Sequence, residues 1–247
     1  TTPLVATIAP APLTISGLSA AGITYNGGTA TTISGAPSLA GLIAGLPAPA
    51  LSGTVSTGAF ASANAGVTVT AAPDLSGLSL TGPGAGNYMI TGVSTPLQGA
   101  IAKAPLSVTL APQTKVYDAT TTAVLLAGTS NSPGSYTISG FASGEGGYVV
   151  QTAGNYNSAN VATASSVSVN LTPSDIVANS GTLLSNYLLP TVALGNGTIT
   201  PAPLTLSVTP SGTFLGVSPD LSGALIVSGL KGMDTAASVL PNASVQP

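Results

Sequence analysis

The chain has 247 residues, 44% of them hydrophobic and only 4% charged, with three lysines, six acids, no arginine and a net charge of −3. It contains no His, Cys or Trp, which excludes thiol and Ser–His nucleophilic chemistry and an ordinary transition-metal site, and three cations are too few to neutralise nucleic-acid phosphates. Gly and Pro together number 51 (31 and 20), but a chain this apolar and this weakly charged lacks the composition of disorder.

Taken in chain order, residues 1–10 read as the terminal strand of a preceding repeat, or as a strand available for donation. The chain starts at Thr1 in mid-pattern, so the sequence reads as a segment of something longer. The uncharged stretch 1–73 is interrupted by Pro10, Pro12, Gly17 and Gly22, so no membrane span is expected in it. ATIAPAPLTIS (6–16) leads into ITYNGGTATT (23–32), SANAGVTV (62–69) and GNYMITG (86–92). The same landmarks then return in the same order as GAIAKAPLSVT (99–109), KVYDATTTA (115–123), SANVATAS (158–165) and SNYLLPT (185–191), at offsets of 92 to 99, before GTITPAPLTLS (197–207) starts a third round. A period this long suits a whole small β domain and not one coil of a solenoid.

Each round reads as β. LSVTL (106–110), VSVNL (167–171) and LTLSV (204–208) alternate apolar and polar residues, the period of a strand with one buried face. Gly, Pro, Asn and Ser punctuate the strands at roughly the spacing of a β-sandwich. LAGLIAGL (39–46) and TLLSNYLL (182–189) allow a helical turn at most. The expected fold class is all-β, as tandem immunoglobulin-like β-sandwich repeats: a first repeat over 11–103, a second over 104–201 and a partial third over 202–247. The segment around AKAPLS leads directly from one repeat into the next.

KVYDATTTA places Lys115, Tyr117 and Asp118 together in a chain with nine charged residues, and two readings compete. As general acid–base machinery the group needs a partner and a tuned pocket. The first repeat, however, has Ile23 at the lysine position and Asn26 at the aspartate. As a structural signature, the tyrosine anchors a strand edge and Asp or Asn opens a turn by bonding its own backbone. We take the structural reading, with Tyr25, Asn26, Tyr88, Tyr117, Asp118 and Tyr187 as signature residues, and assign no catalytic, cofactor-binding or metal-binding residue. The acids Asp74, Asp118, Glu145, Asp175, Asp220 and Asp234 are scattered and contain no calcium-loop spacing.

These landmarks resemble the YDG-type repeats of large bacterial surface proteins, which occur in filamentous-haemagglutinin-like adhesins. GVSPDLSGALIVSGLKGMDTAASVL (216–240) is similar to the related MBG-type module. The resemblance implies a non-enzymatic, extracellular repeat protein of the bacterial surface, serving adhesion or biofilm structure, with no cofactor. The signature is altered here, to Tyr25-Asn26-Gly27 and Tyr117-Asp118-Ala119, with Phe214 near the third tyrosine position. A role in turn and packing survives those changes; a role that needs charge does not.

Scarce charge leaves sheet edges without the lysines that usually block pairing. The expected partner is therefore another copy, in a stalk or self-assembled filament, with donation of residues 1–10 as one route. The alternative is an adhesin module that binds host or matrix glycans through loop residues such as Tyr148, Tyr156 and Asn157.

Overall fold

The computed structural model describes residues 7–66, 68–208 and 225–240. Residues 1–6 of the terminal strand, Phe214, Asp220 and 216–224 of the third round lie outside them. The protein is all-β. In chain order its strands are β1 (Ala11–Ala20), β2 (Ile23–Thr24), β3 (Ala30–Ala40), β4 (Ala50–Gly53), β5 (Thr57–Phe60), β6 (Thr68–Pro73), β7 (Leu78–Thr81), β8 (Tyr88–Val93), β9 (Leu97–Ala102), β10 (Ala104–Pro105) and β11 (Ser107–Leu110). They continue as β12 (Gln113–Val116), β13 (Thr122–Val124), β14 (Tyr136–Ser139), β15 (Gly147–Val149), β16 (Ala153–Tyr156), β17 (Ser166–Asn170), β18 (Ile176–Ala178), β19 (Tyr187–Leu188), β20 (Val192–Thr200), β21 (Thr205–Val208) and β22 (Leu225–Ser228). No helix among the described residues is long and apolar enough to cross a membrane.

The chain divides into two compact units. Unit 1 comprises Thr1–Leu106 together with Gly140–Gly146 and Ser180–Leu188, and unit 2 comprises Ser107–Ser139, Gly147–Asn179 and Leu189–Pro247. Two short pieces of the second repeat, 140–146 and 180–188, thus belong to the unit built by the first.

In unit 1 seven strands hydrogen-bond in the order β2-β9-β6-β5-β3-β1-β8. β1 and β2 are separated by only Ala21 and Gly22 yet sit near opposite ends of that order, so the sheet curls round on itself. Inward alternation fills the curl with Leu13, Ile15, Ile33, Phe60, Val69, Leu97 and Ile101, and burying each such side chain contributes about 1.5–3 kcal/mol. In unit 2 the order is β13-β16-β17-β20-β11-β14, with β12 pairing β20, round a core that includes Val108, Leu125, Tyr136, Val149, Val167, Val169 and Ile199. What is one long strand in unit 1, β3, is matched in unit 2 by two, β13 and β14, with residues 125–135 between them.

Parallel pairings recur with the repeat. Ala11 of β1 faces Tyr88 of β8, and Ala104 of β10 faces Tyr187 of β19. Ile23 of β2 faces Ile101 of β9, and Lys115 of β12 faces Ile199 of β20. A shared glycine ends the hairpin partner each time: Gly41, Gly140 and Gly229 have φ of 97°, 103° and 97°. A Cβ there would stand 3.3, 2.4 and 2.6 Å from the carbonyl oxygens of Pro12, Pro105 and Pro203, so only glycine fits the two tighter sites.

β21 departs from the alternation read in LTLSV. All four of its residues are exposed, because among the described residues it pairs with β22 alone and has no second layer over either face.

Candidate functional site

The two signature turns share a backbone. Tyr25 follows β2 and its N–H donates to the carbonyl of Ala102 at 2.8 Å; Tyr117 follows β12 and donates to Thr200 at 2.8 Å. The Oδ1 atoms of Asn26 and Asp118 each accept a backbone N–H two residues on, from Gly28 and Thr120, both at 2.9 Å. These Asx turns put the intervening residue in the left-handed region: Gly27 at φ 81° and Ala119 at φ 65°. Ala119 is the one non-glycine with positive φ among the described residues, and it stands where the signature has glycine.

Around Asp118 the polar groups are saturated. Lys115 Nζ donates to Asp118 Oδ1 (2.7 Å), Thr120 O (2.8 Å), Thr120 Oγ1 (3.0 Å) and Thr122 O (3.0 Å), and lies 5.3 Å from the centre of the Tyr156 ring. The Lys115 ammonium, followed by the Thr120 N–H, holds the Asp118 carboxyl at about 2. A carboxylate that stays ionised, facing a cation with four acceptors, neither takes up nor releases protons near neutral pH. The cluster is a turn clamp.

The tyrosine of the first repeat enters a different setting. Tyr25, 7% exposed, donates its hydroxyl to Oε1 of Glu145, and Tyr187, 2% exposed, donates to Oε2 of the same carboxylate. The Tyr187 oxygen also accepts the N–H of Ala142 at 2.9 Å. The Tyr25 and Tyr187 rings meet edge to face with centres 5.3 Å apart, and Phe141 meets Tyr187 in the same way at 5.1 Å. Asn186, 1% exposed, accepts the N–H of Ala65 at 2.9 Å and reaches Asn64 Oδ1 at 3.5 Å. Burial, and then the Glu145 carboxylate, raise the pKa of both phenols, that of Tyr187 to about 12.

Tyr88 stands where Tyr187 does in its own round. A short 3-10 turn precedes each, Ala85–Asn87 and Leu184–Asn186, and the buried Tyr88 hydroxyl accepts the N–H of Ile43 at 3.3 Å, as Tyr187 accepts that of Ala142. Tyr117 is only half-buried. Asp234 lies beside it and is the first cause of its raised phenol pKa. A cavity of about 300 Å³ opens in unit 2 between Tyr117, Asn160 and Val161 on one side and Leu230, Lys231 and Asp234 on the other.

Sequence reasoning placed the tyrosines and missed their acceptor. Its signal lay in a second alignment, SGFASGE (139–145) with SGLKGMD (228–234) and AGLIAGL (40–46), in which the last position is Glu145, Asp234 or Leu46. The remaining described acids are committed locally. Asp74 Oδ1 accepts Ser76 N–H at 3.0 Å, and Asp175 Oδ2 accepts Thr172 N–H at 2.7 Å in a capping box. No group of three residues able to hold a metal occurs among the described residues. Tyr148, Tyr156 and Asn157 form no exposed aromatic cluster. Tyr156 is 4% exposed beneath Lys115, and Asn157 spends its amide on its own loop, on Thr163 and Ser165.

Comparison with the curated proteins and with the solved structures gave no match. Comparison with known families gave the YDG domain twice, over residues 9–96 and 102–194. Both matches carry the tyrosine turn, the Asx bond and the Asn–Tyr turn described above, and together they span most of the sequence: the chain belongs to the YDG domain family.

Proposed function

We propose that the chain is a structural, non-enzymatic repeat segment of a bacterial extracellular surface protein of the filamentous-haemagglutinin-like kind, forming a stalk or a filament through β-strand contacts. On this reading the curled sheets are immunoglobulin-like modules, and 202–247 is a partial MBG-like one. The observation that carries it is where the charge goes. Each acid among the described residues is committed to a turn or stands beside a tyrosine. The outward rows of the sheets are left with neutral side chains. Across unit 2 the paired positions Thr122, Asn155, Ser168 and Leu194 make one such row, and Val124, Ala153, Asn170 and Val192 the next. Sheets without charged gatekeepers associate laterally, and neutral contacts tolerate salt.

Negative-stain electron microscopy of the purified chain tests this. The expected images are rods or bundled fibres, unchanged between low and high salt. Isolated compact particles at every protein concentration would overturn the filament reading.

A further inference from the structure

Unit 1 carries an open apolar depression of about 340 Å³ lined by Ile8, Pro10, Ile43, Leu46, Gly86 and Asn87. The repeat alignment assigns each of these a counterpart one round later: Ile101, Lys103, Ala142, Glu145, Ser185 and Asn186. Four of those counterparts belong to the surroundings in which Tyr25 and the 64–65 backbone are seated. Ile101 and Asn186 are both 1% exposed there, and Glu145 and Asn186 supply the acceptors. In the open depression Ile8 is 98% exposed, Ile43 49% and Leu46 48%, and Asn87 is exposed too. The same seat thus occurs twice, once filled by a tyrosine turn and once open.

The open seat differs at one position. Leu46 replaces the carboxylate, so a buried tyrosine hydroxyl would lose its acceptor, at a cost of about 1–3 kcal/mol. A ring without a hydroxyl suits it better. The third round carries Phe214 near its tyrosine position.

We propose that the Leu46 seat docks the third repeat of a second copy of this chain, with the Phe214 ring taking the place that Tyr25 takes beside Glu145. The proposal rests on the filament reading and names its contact. Residues 7–10 lie at the same depression, so strand donation by the terminal strand and ring docking engage one partner together. A contact between different surfaces of like chains does not close on itself, and it extends into a filament.

Sedimentation velocity and electron microscopy across a protein dilution series test it, on the whole chain, the Leu46→Glu variant and the Leu46→Glu/Phe214→Tyr double variant. Leu46 is half-exposed, so the single variant folds, and an unchanged melting temperature of the dilute protein checks this. A carboxylate facing a phenyl ring raises the concentration needed for assembly about tenfold or more, and the added hydroxyl brings it back towards the parent value. Assembly of the single variant at the parent concentration would overturn the seat while leaving the filament standing. No recovery in the double variant would overturn the assignment to Phe214. Absence of assembly in the parent chain would overturn the filament reading itself.

Discussion

The turns at Tyr25 and Tyr117 have the same backbone and opposite surroundings. Asn26 and Asp118 make the same Asx bond at the same length. The first turn then relies on Gly27, which reaches positive φ without strain, and on a buried tyrosine whose hydroxyl has a carboxylate acceptor. The second has Ala119 in the left-handed region and compensates with the Lys115 clamp, while its tyrosine stays half in solvent. The fold therefore requires a side-chain oxygen at one position and a left-handed residue at the next. Charge at this signature is an addition that one repeat has and the other lacks.

Truncating the rings separates the two turns most widely. Tyr25→Ala removes a buried ring packed on Tyr187 and is expected to cost about 3–5 kcal/mol, whereas Tyr117→Ala costs under half as much, because its ring is already partly hydrated. Chemical denaturation of the two variants measures the difference; equal losses would remove the distinction.

Alkaline pH exploits the same contrast. Tyr25 and Tyr187 have folded pKa values above the ordinary phenol value, so the stability they contribute is complete below about pH 10. It is lost as the pH rises through the folded value, about 12 for Tyr187. Melting temperatures between pH 8 and 12 should fall over that window, and less steeply in Tyr187→Phe.

Lys115→Met breaks the clamp and leaves Asp118 without its cation. The pair is partly exposed, at 17% for the lysine side chain and 48% for the aspartate, so the expected loss is about 1–2 kcal/mol. Ile23→Met, at the equivalent position, should be nearly silent. The smallest effect is an exchange of sign. Ala119→Gly relieves the left-handed alanine and stabilises by about 1 kcal/mol, and Gly27→Ala destabilises by a similar amount. The Cβ added at position 27 would meet Ala142 Cβ at an ordinary 3.5 Å, so backbone strain alone carries that loss.

The β character and the repeat were legible because period-two alternation and the recurrence of Tyr, Asx and Asn–Tyr are local patterns. Glu145 was not, although it is the group on which two tyrosines converge. It lies 120 residues from Tyr25, in a loop whose counterpart in the first round ends in Leu46, so the acid has no match there to mark it. Asn186 was read as part of a landmark, but its role appears only when Ala65 covers it. The parallel pairings were equally hidden, because alternation fixes which face a residue occupies and says nothing about the direction of its neighbour.

The most direct test is the coupling between the Tyr25 hydroxyl and Glu145. A double-mutant cycle of Tyr25→Phe and Glu145→Gln, followed by denaturant unfolding, should give an interaction energy of about 1–2 kcal/mol. The same cycle on Tyr117→Phe and Asp234→Asn should give well under half of that. Independent, additive losses at Tyr25 and Glu145 would contradict the assignment of the signature tyrosine to a structural seat.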